Sequence, residues 1–137
     1  MDRKTLVRRL DKLTSVLVRL HSDRCCTCNK KLDFKHRQCG HYVPRVVQTT
    51  RWDLRNCNVQ CATCNVEKGG NLKKYAEFMK TEYGLPNKIM YDTIYEVYKM
   101  GKLKSLPTET LESLYHERVE AVHKLEQYAE QYIPKEW

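Results

Sequence analysis

Residues 60–72 read Gln60-Cys61-Ala62-Thr63-Cys64-Asn65-Val66-Glu67-Lys68-Gly69-Gly70-Asn71-Leu72. The Cys61-x-x-Cys64 pair within them has a counterpart upstream, Cys25-x-x-Cys28, and Gly40-His41-Tyr42 lies between the two. Four thiolates at these spacings suit one tetrahedral zinc ion. A site with four sulfur ligands is closed and structural, with no coordination position left for chemistry. The alternative is accidental spacing. The 32 residues between Cys28 and Cys61 exceed what a finger that reads nucleic acid usually needs, and they hold the best candidate groups.

The chain has 137 residues, a length that suits one compact domain over 1–137. Its expected parts are an amphipathic helix over 1–22, a metal-bound core over 23–83 and helices over 84–137. Hydrophobic residues make up 41% and charged residues 31%, the balance of a soluble globular chain. No apolar run approaches the length of a membrane span. The charged N-terminal segment offers no apolar secretory core, so a reducing cytoplasm is the expected compartment. Seven cysteines there point to metal binding over disulfides. Cys26, Cys39 and Cys57 fall outside the zinc pattern and read as small buried fillers.

Net charge is +8, unevenly spread. Residues 1–75 carry 17 Lys/Arg against 6 Asp/Glu, residues 76–104 carry 5 against 4, and residues 105–137 carry 3 against 7. The basic excess therefore coincides with the cysteine region. Such a field attracts a polyanion, with binding that weakens steeply as salt rises. A merely solubilising surface is the blander reading.

Leu6, Leu10, Leu13, Leu17 and Leu20 alternate steps of four and three, which predicts a helix over 3–21 with a narrow apolar seam. Periodicity favours packing of this seam within the subunit. Residues 22–60 predict short strands and loops, with Tyr42-Val43 and Val46-Val47 extended and Pro44 at an edge or loop. The second cysteine pair opens a short helix that Gly69-Gly70 interrupts. Asn71 then caps a helix through Tyr83, stopped by Gly84-Leu85-Pro86. Further helices are expected over 87–100, closed by Gly101, and from Thr108 as cap, with Leu111, Tyr115, Val119, Val122, Leu125, Ala129 and Tyr132 on the buried side. The fold class is α+β and mostly helical.

His41 is the candidate general base. A neutral imidazole near physiological pH can take a proton from water, although a lone histidine is often structural. Asn65 follows the last cysteine directly, at the start of a metal-clamped helix. Its amide oxygen suits a hard divalent cation, or a helix-terminal hydrogen bond. That cation would bind the scissile phosphate and stabilise a leaving oxygen. Asn56 and Asn58 flank Cys57, and either one can orient the imidazole or serve as a turn residue. Arg45, Arg51, Arg55 and Lys68 are candidate phosphate contacts. Tyr42 and Trp52 are candidates to stack on unpaired bases, or to pack ordinarily.

With Gly40-His41-Tyr42, the Arg55-Asn56 pair and Gln60 through Leu72 in this order, the chain resembles the phage NinG/Rap recombination nucleases, of the HNH (ββα-metal) type. The resemblance covers roughly residues 5–100 and implies a zinc-stabilised HNH core between an N-terminal helix and a C-terminal helical region. It implies Mg²⁺- or Mn²⁺-dependent cleavage of branched DNA such as Holliday junctions, in the host cytoplasm if the chain is phage-encoded. Within it His41 would be the general base, Asn56 the middle asparagine and Asn65 the last member of the triad, as a cation ligand. Many HNH enzymes carry an aspartate where this chain has Gly40. The second cation ligand stays open among Gln38, Asp33, Asp53, Glu67 and His41. A homodimer and phage or host recombination proteins are the implied partners. The competing reading, from another class, is a non-catalytic zinc module that binds nucleic acid.

Overall fold

The leucine spacing near the N-terminus produces the element it predicts. In the computed structural model, which describes residues 1–125, helix α1 runs Arg3–His21. Asp2 caps it by accepting from the Thr5 amide at 2.7 Å. Leu6, Leu10 and Leu13 are buried against Leu111, Tyr115 and Val122 of helix α5, Thr108–Lys124, with Trp52 in the same cluster. Each leucine so buried contributes about 1.5–3 kcal/mol. The seam thus packs within the chain, with Leu17 and Leu20 partly buried against the same cluster. Val119 is half-buried and Leu125 exposed on α5. Ala129 and Tyr132, expected to extend its apolar side, lie outside the described residues.

Strand β1, Gln38–His41, pairs antiparallel with β2, Cys57–Gln60, in the register Gln38↔Gln60, Cys39↔Val59, Gly40↔Asn58 and His41↔Cys57. Two strands alone are marginal in water. This hairpin rests against α1. The expectation of extended backbone holds at Val47, with φ −84° and ψ 100°, and is corrected before it: the chain bends at Tyr42 and Val43 and turns at Val46. The reason is Asn56, fully buried, whose side chain accepts from Val43 N at 2.8 Å and donates to Val43 O and Thr50 O at 3.1 Å each. It takes up the groups that a neighbouring strand would have used. Pro44 lies in the resulting loop, as expected. A single turn, α2 (Gln48–Arg51), follows.

After β2 the chain makes a five-residue π turn over Thr63–Glu67, and helices α3 (Leu72–Tyr83) and α4 (Leu85–Lys99) pack against each other. Helix α4 starts earlier than the periodicity suggests, because Pro86 suits the first turn, where no amide partner is needed. Of two capping expectations one holds in position. Asn71 is the N-cap residue of α3, as expected, but in a left-handed backbone with φ 49° and without a side-chain cap hydrogen bond; its Nδ2 reaches Cys64 Sγ at 3.6 Å. Thr108 is the first residue of α5, with Pro107 at the cap, and its hydroxyl accepts from Arg3.

Gly40 owes its identity to contact. A Cβ there would sit 2.0 Å from Gln60 Oε1. Gln60 is fully buried and is held by donating to Gly70 O at 2.8 Å and Thr27 Oγ1 at 3.1 Å. No aspartate fits at position 40 while Gln60 fills that space. Gly40→Ala is therefore expected to destabilise by about 1–3 kcal/mol, read as a lowered urea midpoint with an unchanged m-value.

Candidate functional site

The two cysteine pairs converge. The Sγ atoms of Cys25, Cys28, Cys61 and Cys64 all lie within 4.8 Å of one another. Cys28 and Cys61 are 3.8 Å apart, close to the spacing of two sulfurs on a tetrahedral zinc with Zn–S of about 2.3 Å. Burial raises the Cys25 thiol, but hydrogen bonds from Thr27 and nearby amides outweigh it and bring it to about 6. The Lys30 amide lowers Cys28, yet burial and the sulfurs of Cys25, Cys61 and Cys64 prevail and push it up to about 12. Without a cation the set cannot carry four negative charges. The donors therefore fit a structural metal such as zinc.

This knot fixes the entry to the π turn, and Asn65 follows Cys64 on it, its amide bonded to Cys61 O at 2.9 Å. Asn65 and His41 line the same cleft, of about 810 Å³, together with Tyr42, Arg45, Arg51 and Trp52. Lys12, Arg19 and Arg37 add further positive charge to the lining, and among the described residues Asp11 is the one carboxylate in it. Asn65 Nδ2 donates to Gln38 Oε1 at 2.8 Å, so two amide groups meet on this wall.

His41 Nε2 lies 2.9 Å from Arg51 O. A carbonyl only accepts, so Nε2 carries the proton and Nδ1 is the basic nitrogen of the neutral ring. Neither Asn56 nor Asn58 orients the imidazole. Asn56 braces the Val43–Thr50 loop, and Asn58 bonds Arg55 O, Tyr75 and Tyr83. The carbonyl that holds His41 is itself held, because Arg51 donates twice to Asp11, at 2.9 and 2.7 Å. Asp11 Oδ1 also accepts from Trp52 Nε1 at 2.8 Å. Burial lowers the His41 pKa below the usual 6.5; the Arg51 carbonyl and Asp11 oppose this, while Arg45 and Arg51 add to it.

The remaining candidates divide. Arg45 is exposed at the cleft and near Asp11 at 3.8 Å. Arg55 and Lys68 are exposed but lie away from the cleft lining. Trp52 is corrected: it is only 2% exposed and packs in the α1–α5 core, so no ring face is free for a base. Tyr42 packs on Tyr75 and donates to Asp92, which engages its hydroxyl. Sequence reading missed Lys12, Arg19, Arg37 and Asp11 as cleft residues. A signal existed for two of them: Lys12 and Arg19, seven residues apart, share a face of α1 away from the leucine stripe. Arg37 had none; it is anchored by donating to Leu32 O and Arg19 O.

Among the described residues no helix is long and apolar enough to cross a membrane. The profile of a family described as "Bacteriophage Lambda NinG protein" matches residues 2–126. No curated protein and no solved structure matches the chain.

Two expectations follow from the geometry. Stripping metal with a strong chelator is expected to unfold the region around the knot, seen as loss of amide protection in β2 and the π turn and reversed by Zn²⁺. In an NMR titration His41 is expected to titrate below 6.5. The same depressed value means that its contribution to stability is present above the unfolded-state pKa and is lost as pH falls through the folded-state one.

Proposed function

We propose that this chain, which belongs to the bacteriophage lambda NinG family, is an HNH-type endonuclease that hydrolyses phosphodiester bonds in branched DNA with Mg²⁺ or Mn²⁺. One observation carries the reading. An imidazole with its Nε2 proton tied to a carbonyl and an asparagine behind a four-sulfur knot line one strongly basic cleft.

In this reading Arg45, with Lys12, Arg19 and Arg37, draws the phosphate backbone in. Arg51 shares its charge with Asp11 and acts mainly by holding the carbonyl that sets the His41 tautomer. His41 Nδ1 accepts a proton from the attacking water as its oxygen bonds to phosphorus. The bond to the 3′ oxygen breaks, and that oxygen takes up a proton from solvent. A bound divalent cation would polarise the phosphate and stabilise the leaving oxygen. Asn65 and Gln38 would offer it amide oxygens. The donor set thus suits a cation held jointly with the phosphate rather than caged alone. A junction offers two symmetry-related strands, and a two-fold pair of chains matches that demand.

The scarcity of carboxylates in the cleft, Asp11 alone and already engaged by Arg51, favours a second reading, a zinc-containing module that binds nucleic acid without cutting it. One assay separates the two: a synthetic four-way junction against matched duplex, with Mg²⁺, Mn²⁺ or EDTA. Wild type is expected to nick the junction, and His41→Ala and Asn65→Ala to lose cleavage by about 10²–10⁴-fold while still binding. A wild type that binds and nicks nothing with either cation hands the case to the binding module.

A further inference from the structure

Two cysteines that neither the zinc knot nor the proposed chemistry uses meet His41 on one face of the hairpin. Strand alternation puts Cys39 and His41 on the same side of β1, and the antiparallel register sets Cys57 directly across from His41. Two sulfurs and an imidazole nitrogen from these residues lie within 4.8 Å of one another, and none of them belongs to the four-cysteine set. Cys57 is buried, whereas Cys39 and His41 are half-buried and line the basic cleft, so the group has a closed floor and an open side. The Arg51 carbonyl ties two of the members together, accepting from His41 Nε2 at 2.9 Å and from Cys57 Sγ at 3.3 Å.

Two thiolates and an imidazole are a donor set for borderline or soft cations and a poor one for Mg²⁺. Sulfurs on a tetrahedral zinc stand about 3.8 Å apart, so closing this set on an ion takes side-chain movements of about 1 Å. We propose that Cys39, His41 and Cys57 form a second metal site, for a thiophilic divalent cation of the Zn²⁺ class, and that filling it switches His41 off.

The balance is simple. Two thiol protons leave to solvent as two sulfur–metal bonds form, and the imidazole stays neutral. If Nδ1 is the ligand, the lone pair of the base is occupied. If Nε2 is the ligand, it releases the Arg51 carbonyl, its proton moves to Nδ1 by way of solvent, and the same lone pair is lost. Either way no basic nitrogen remains. The inhibitory consequence rests on the nuclease reading; the binding does not.

The test begins with metal counting on the full chain. Wild type equilibrated with Zn²⁺ and freed of loosely held ion is expected to hold about two equivalents, and Cys39→Ser and Cys57→Ala about one each. Both variants should keep the wild-type circular dichroism, which reports that the four-cysteine site is intact. Co²⁺ added as second equivalent should give tetrahedral d–d bands and a sulfur charge-transfer band that both variants lack. One equivalent in wild type, or a second equivalent retained by both variants, overturns the proposal. Activity is the separate arm. Zn²⁺ beyond the first equivalent should suppress junction cleavage at least tenfold in wild type and leave Cys39→Ser at its own basal rate. If two equivalents bind but excess Zn²⁺ leaves wild-type cleavage unchanged, the switch is wrong. If wild type never cleaves, the nuclease reading fails while the metal count still decides the site.

Discussion

Everything in the middle of this protein hangs on four sulfur atoms brought within 4.8 Å of one another. Two of the hydrophobic clusters are ordinary, built from leucines with a tryptophan or from tyrosines, valines and a methionine. The third is cysteines with Val18, Leu32 and Val59, and has little apolar mass to drive its own folding. A segment so poor in core draws little stability from burial, and the four thiols are placed so that a structural metal such as zinc could supply it. Cys61 and Cys64 flank the start of the π turn, so an ion held there would also set where Asn65 stands.

A second constraint acts at right angles to the first. Asp11 on α1 reaches both Arg51 and Trp52, and the Arg51 carbonyl reaches both His41 and Cys57. The N-terminal helix is therefore joined to the imidazole by hydrogen bonds rather than by packing alone. Such partly buried networks hold geometry tightly because each unpaired member would cost about 1–3 kcal/mol. Asn56 does the same for the loop between the strands, with no contact to the imidazole it was expected to orient. Glycine at position 40 belongs to this frame as well, since Gln60 occupies the space where a side chain would project.

Local signals were legible where the physics is local. The leucine period gave helix α1 its bounds, Gly84 and Gly101 ended helices, and the paired cysteines announced the metal site. The failures share a cause. Thr108 is a good cap by type, yet Pro107 takes the cap position and the Thr108 hydroxyl accepts from Arg3. Trp52 looks like a stacking residue in a basic loop, but α1 and α5 close over it.

Residue types and spacings, by themselves, determined the helical α+β composition, the four-thiol site, the basic pole and the candidacy of His41 and Asn65. These follow from side-chain chemistry and from periods of a few residues, which a linear chain displays openly. Only the tertiary structure decided which imidazole nitrogen is basic, which side of α1 faces the cleft, why position 40 is bare, and that Cys39 and Cys57 lie beside His41. Those facts depend on atoms brought together from distant positions by strand register and helix packing, and neither leaves a periodic trace in the sequence.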